Sequence, residues 1–188
     1  MRRNTLAILA ACAVAAVCGQ APAQAQQPAA PAAPAAPAAP AAVPDQMPFD
    51  IPYGNSITAD RAADIVKAVV AEATKSPRNW KLAISVVDTH GDLVYFYKMD
   101  NTQHGSVTIS QNKARTSARL RRPTQIFSNA MQTPAGNYLA TLDSPPPTAS
   151  PGGFPLIEGG KIIGAVGCSG ATGDQDAVAC KAGAETIK

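Results

Sequence analysis

Proline stands at every third position from Pro28 to Pro40, in a run of Pro-Ala-Ala repeats. Each proline ring fixes φ near about −65° and removes a backbone donor, so neither a helix nor a central strand can run through this stretch. An extended, polyproline-type spacer is what such a repeat favours. Alanine and proline also carry too little apolar side chain to make a core. The repeat therefore divides the 188-residue chain. Residues 26–49 read as a Pro/Ala-rich linker. Residues 50–188 hold everything that can fold, enough for one domain.

Ahead of the linker, MRRNTLAILAACAVAAVCGQAPAQA has two arginines, an apolar run and the small-residue pattern Ala23-Gln24-Ala25. That is the pattern of a secretory signal peptide cut after Ala25, and it predicts a periplasmic or secreted protein. The apolar run is too short for a membrane anchor. Leu9-Ala10-Ala11-Cys12 resembles a lipidation box but sits very early, with almost no apolar stretch before it. Removing residues 1–25 takes away two arginines and no acid, lowering the formal charge from +3 to +1. A near-neutral exported chain lacks the basic stripe of a nucleic-acid binder. Cys168 and Cys180 remain after cleavage, free to pair in an oxidising compartment, but one pair makes no disulfide scaffold. The fold must rest on an apolar core.

The 3.6-residue period predicts a first helix after Thr58, with Ala62, Ile65, Val66, Val69 and Ala73 on one face and Pro77 as its stop. Leu82 to Val87 and Leu93 to Tyr97 read as two strands around the turn residues 88–92. A second helix spans about Ser106 to Leu120, ended by Pro123. Residues 128–153 read as a long loop rich in Pro, Gly and Ser. A second hairpin joins Pro155–Ile157 to Ile162–Val166 through residues 158–161, and a last helix covers about Asp174 to Ile187. Hairpins covered by helices give an α+β class.

The stretch IIGAVGCSGATGDQD, residues 162–176, places Gly164, Gly167, Gly170 and Gly173 between strand and helix. Such a turn can cradle an anion on backbone N–H groups. It lacks both the Gly-Lys-Ser/Thr ending and the G-x-G-x-x-G opening. Asp174 and Asp176 already complement the helix dipole and would repel phosphate. These glycines read as packing and turn residues.

Gly152-Gly153-Phe154-Pro155-Leu156, the strand end Lys161 to Gly170, and Gln175-Asp176 through Ala179 together resemble the closing signature of the GlcG/HbpS family. This is the heme-binding and heme-degrading-type domain also found at the C-terminus of some PduO proteins. Asp88-x-x-Gly91, Gly105-Ser106, Ile109, Lys113-Ala114 and Thr116 extend the resemblance over about residues 57–188. It implies a profilin-like antiparallel sheet of about five strands flanked by helices, a homo-oligomer, and heme as the ligand. The strand beyond the four read above would come from residues 137–142 or from the end of the signature.

Heme iron takes His, Cys, Met or Tyr ligands. His104 precedes the second helix, in the matched segment, and is the candidate iron ligand; an exposed loop histidine is the plainer reading. His90, in a hairpin turn, reads as solvated, and Met99 as packing. Thr108, Ser110, Lys113 and Arg115 are the further candidate heme contacts. Lys113, Arg115, Arg119, Arg121 and Arg122 cluster along the second helix, as a solvated face or as partners for propionates. Arg115 and Arg119, four apart, share a face. Zinc chemistry lacks a ligand-spaced cluster, and Gly167-Cys168-Ser169-Gly170 lacks the G-x-S-x-G frame of a hydrolase. The expectation is an exported heme-binding protein for storage, sensing or slow degradation, a binding protein before an enzyme. The alternatives are a binding protein or enzyme for a small organic acid of the glycolate-pathway type, and an oligomeric sensor or scaffold with a membrane partner.

Overall fold

The computed structural model describes residues 50–77 and 79–188. The expected signal peptide and the whole linker, residues 1–49, lie outside the described residues. α1 (Ala59–Lys75) presents Ala62, Ile65, Val66, Val69 and Ala73 to the core, and Thr58 takes the extended conformation of an N-cap. β1 (Ala83–Val87), β2 (Leu93–Lys98), β3 (Gly153–Glu158) and β4 (Lys161–Ser169) form one antiparallel sheet in the order β2-β1-β4-β3. Every residue of β1 is buried, because α1 and α4 (Gly173–Ala184) cover one sheet face and α2 (Ser106–Arg119) the other. A central strand covered on both sides reads as a continuous apolar run rather than an alternating one.

The α+β class stands, with four strands rather than about five. Pro134–Thr141 form a 3-10 helix that takes up all but the last of residues 137–142, where the extra strand was sought, and Gln125–Ala130 form a short helix, α3, so the expected long loop is partly helical. The additional pairing comes from the segment before α1 instead. Tyr53 makes a parallel bridge to Ile162; Gly54 N–H donates to the Ile162 carbonyl (2.8 Å), and Ile57 N–H to that of Ile163 (2.8 Å). An aromatic flanked by Pro52 and Gly54 carries no strand periodicity, so no sequence pattern marks this edge.

The glycines of the signature set the distance between α2 and the sheet. A Cβ on Gly167 would lie 2.2 Å from the Ser110 carbonyl oxygen and 2.5 Å from the Ala114 nitrogen; one on Gly153 would lie 2.5 Å from the Lys113 carbonyl oxygen. The helix backbone lies directly on the strands, with Ala114, Ala118, Ala165 and Val87 filling the seam. The glycine-rich run is architecture, as its chemistry indicated. Cys168 on β4 and Cys180 on α4, both fully buried, form a disulfide.

Candidate functional site

α2 divides the candidate residues between two faces. Successive residues turn by about 100°, so Thr108 and Arg115, seven apart, point the same way. Ser110 and Lys113 fall in the opposite half. The burial agrees: Thr108 is exposed and Arg115 half-buried, whereas Ser110 and Lys113 are inside. Ser110 Oγ lies 2.8 Å from Ser85 Oγ and donates to the Val107 carbonyl (2.9 Å).

Lys113 is 1% exposed and leaves the cationic face on which its sequence neighbours placed it. Its Nζ donates to Asp176 Oδ2 (2.8 Å) and to the Cys168 carbonyl (2.9 Å). Burial pushes the Lys113 ammonium down and the Asp176 carboxyl up; their mutual attraction opposes both shifts. Asp176 Oδ1 also accepts from Ala171 N–H (2.9 Å). The acid assigned to the dipole of the last helix is therefore the counter-ion of a buried lysine. The dipole keeps Asp174, and Thr172 with Gln175 closes a capping box. Lys113 and Ser110, expected among the heme contacts, are buried and bonded inside the protein.

The outward face of α2 is what remains. His104 is exposed in the turn that leads into the helix, where its carbonyl accepts from Val107 N–H (3.3 Å). Gly105 has nothing within 4 Å of where a Cβ would stand. Ile109 is 39% exposed and Leu93, at the start of β2, 51%. Gln111, Asn112, Arg115, Leu93 and Gly91 line a shallow hollow of about 100 Å³ with Val87. The outer side of α2 and the turn before it thus expose an imidazole, a hydroxyl and apolar side chains, with a half-buried guanidinium at the hollow. It is a wall rather than a pocket: a small-molecule site buries most of its ligand, and 100 Å³ holds no porphyrin. A heme held against this wall would take His104 as its ligand and Arg115 as the cation for a propionate.

A second concave region was missed. Tyr53, Gly54, Thr89, His90 and Arg119 line an open cleft of about 560 Å³. Tyr53 hydroxyl bonds the last α2 carbonyls, Ala118 (2.9 Å) and Arg119 (3.1 Å). Arg121 lies 5.9 Å from its ring centroid and donates to the Ile51 carbonyl (3.3 Å). Burial raises the Tyr53 phenol, while Arg121 and Arg119 pull it back. Met99 is buried, as read, and accepts from Leu82 N–H (3.5 Å). Among the described residues no group of three His, Cys, Asp or Glu stands close enough to hold a metal.

The family model for "Haem degrading protein HbpS-like" matches residues 57–185. The chain belongs to the HbpS-like family. Protein GlcG of Escherichia coli K12 is 37% identical over 113 residues, covering 60% of this chain and 81% of GlcG. Among solved structures, the Klebsiella pneumoniae protein ORFY superposes with a TM-score of 0.64 at 29% identity, over 74% of this chain and 96% of its own. A PduOC:heme complex superposes with a TM-score of 0.63 at 21% identity, over 71% and 96%, which shows a shared fold. The HbpS-like match begins at Ile57 and so excludes Tyr53, one wall of the larger cleft.

Proposed function

We propose that this protein is an exported, oligomeric heme-binding protein, for storage, sensing or slow degradation of heme. The observation that carries the reading is the outer side of α2 and its leading turn, where His104, Thr108 and Ile109 are exposed and half-buried Arg115 lines a hollow with exposed Leu93. Family membership and a structural neighbour described as a heme complex support it. Heme bound there supplies redox-active iron. The residues of this chain would ligate that iron through the His104 imidazole, cover the ring with Ile109 and Leu93, and pair a propionate with Arg115. A second copy would supply the opposite wall. The Cys168–Cys180 disulfide supports export, since such bonds persist in oxidising compartments.

A hemin titration followed at the Soret band tests this, with His104→Ala in parallel. A saturable, red-shifted band that weakens in the variant is expected. An unchanged Soret position and affinity in His104→Ala would remove His104 as the ligand. No saturable band with the unmodified protein would end the heme reading.

A further inference from the structure

The cleft under Tyr53 is assembled by contacts from three separate segments. Gly91 sits on the alkyl stems of Arg115 and Arg119: a Cβ there would lie 2.9 Å from Arg115 Cγ and 3.3 Å from Arg119 Cδ. That contact brings Thr89 and His90, on the same turn, beside the end of α2. From the other side Tyr53 is fastened to the α2 carbonyls. Arg121, just past the helix, holds φ at 55°, a conformation that costs a residue with a side chain, and from there its guanidinium lies over the Tyr53 ring.

The donors in this cleft exceed the acceptors that occupy them. A guanidinium has five N–H groups; Asp143 Oδ1 engages one nitrogen of Arg119 (2.8 Å), and the side chain stays 41% exposed. Thr89 Oγ1 lies 3.1 Å from Ser56 Oγ and 3.4 Å from His90 Nδ1. The His90 side chain is 82% exposed. The acids nearby are engaged: Asp88 Oδ1 accepts from the backbone of His90 (2.8 Å) and Asp92 (2.9 Å), and Asp143 holds Arg119. The volume lies within the range of small-molecule sites, about 300–1,000 Å³, and the Tyr53 ring gives it an apolar wall.

We propose that this cleft, between Tyr53, the Thr89–His90 turn and Arg119, is a second ligand site that binds a small organic carboxylate. Arg119 takes the carboxylate, since its planar fork matches that group. Thr89 and His90 bond polar substituents, and the carbon skeleton lies against Tyr53. A monoanion suits the site better than doubly charged phosphate, because Asp143 already offsets part of the Arg119 charge. The proposed ligand contacts use none of His104, Thr108 and Arg115.

The test is an amide-resolved NMR titration of the full-length protein with acetate, lactate and benzoate in turn, and with inorganic phosphate for comparison. At least one carboxylate is expected to shift the Gly54, Thr89 and His90 amides saturably. Arg119→Gln should raise its Kd roughly tenfold or more, the size expected for a lost charge-assisted hydrogen bond. Arg61→Gln, at a cation paired with Glu158 and outside the cleft's lining, should leave the Kd unchanged. Thr89→Val, which keeps Arg119 and its ion pair, should weaken binding severalfold and stands in if Arg119→Gln misfolds. Absence of saturable shifts, or equal affinity in Arg119→Gln and Thr89→Val, overturns the proposal. Phosphate binding as tightly at the same amides overturns it too, by showing a general anion site. A hemin titration of Arg119→Gln should match that of the unmodified protein, so the two sites fail or stand separately.

Discussion

At the scale of single residues, Lys113 separates what a pattern says from what a position does. It belongs to a basic run on an amphipathic helix, and a solvated cation is the ordinary reading. The structure buries it against Asp176 beneath β4. Breaking such a pair leaves a charge without a partner, at a cost of about 3–5 kcal/mol. Lys113→Met is therefore expected to lower stability by that amount at pH 7, measured by urea unfolding. The loss should shrink in acid. Without its cation, Asp176 has a folded pKa raised further above its ordinary 3.8, and a raised carboxyl takes up its proton in the folded state first. Stability is thus regained as pH falls through the folded value, and the regain is complete below 3.8. A variant whose deficit is the same at pH 7 and pH 4.5 would show Asp176 to be solvated.

At the scale of elements, α2 and α4 are held to β4 by unlike means. α4 is tied covalently by Cys168–Cys180, twelve residues apart in sequence. A closed loop of that length is worth about 3 kcal/mol, so replacing both cysteines with serine should cost roughly that in unfolding free energy with the fold retained. α2 has no covalent tie: it is held by close backbone approach and by the buried Lys113 bonds to Cys168 and Asp176. Gly167→Ala places a methyl inside the contact distance of two α2 backbone atoms, and neither can yield as a side chain would. Overpacking of that kind costs about 1–3 kcal/mol or more, and thermal unfolding should show the larger end of that range. The same variant tests the site, because α2 carries the proposed heme wall. Its hemin affinity should fall although no surface residue has changed.

At the scale of the whole molecule, the proposed heme wall on α2 needs an opposite wall, and the expectation is that a second copy supplies it. Ile109 is exposed in the single chain, so Ile109→Asp should change monomer stability by no more than about 0.5 kcal/mol. In an assembly that closes around heme, the same charge would be buried without a partner. Hemin affinity and hemin-dependent apparent mass in size-exclusion chromatography should both drop. An unchanged mass with normal hemin binding would place the ligand elsewhere. Export belongs to this scale as well: mass spectrometry of protein recovered from the periplasm or medium should find Gln26 as the first residue.

The local chemistry of the chain was enough for α1, α2, α4 and the four strands, though not for α3 or the 3-10 helix. Proline placement bounded the domain and ended two helices, apolar periods marked α1 and the four strands, and the glycines of residues 162–173 announced tight packing rather than nucleotide binding. Those signals are short-range: they depend on φ restriction, on side-chain period and on volume, all of which a window of a few residues carries. The bridge of Tyr53 to Ile162, the pairing of Lys113 with Asp176, and the meeting of Thr89, His90 and Arg119 under Tyr53 join residues from 29 to 109 positions apart. No local period encodes such partners. They exist because β4 lies between β1 and β3 and α2 lies flat on the glycines, so that tertiary packing alone decided which polar groups were buried together and which were left facing a ligand.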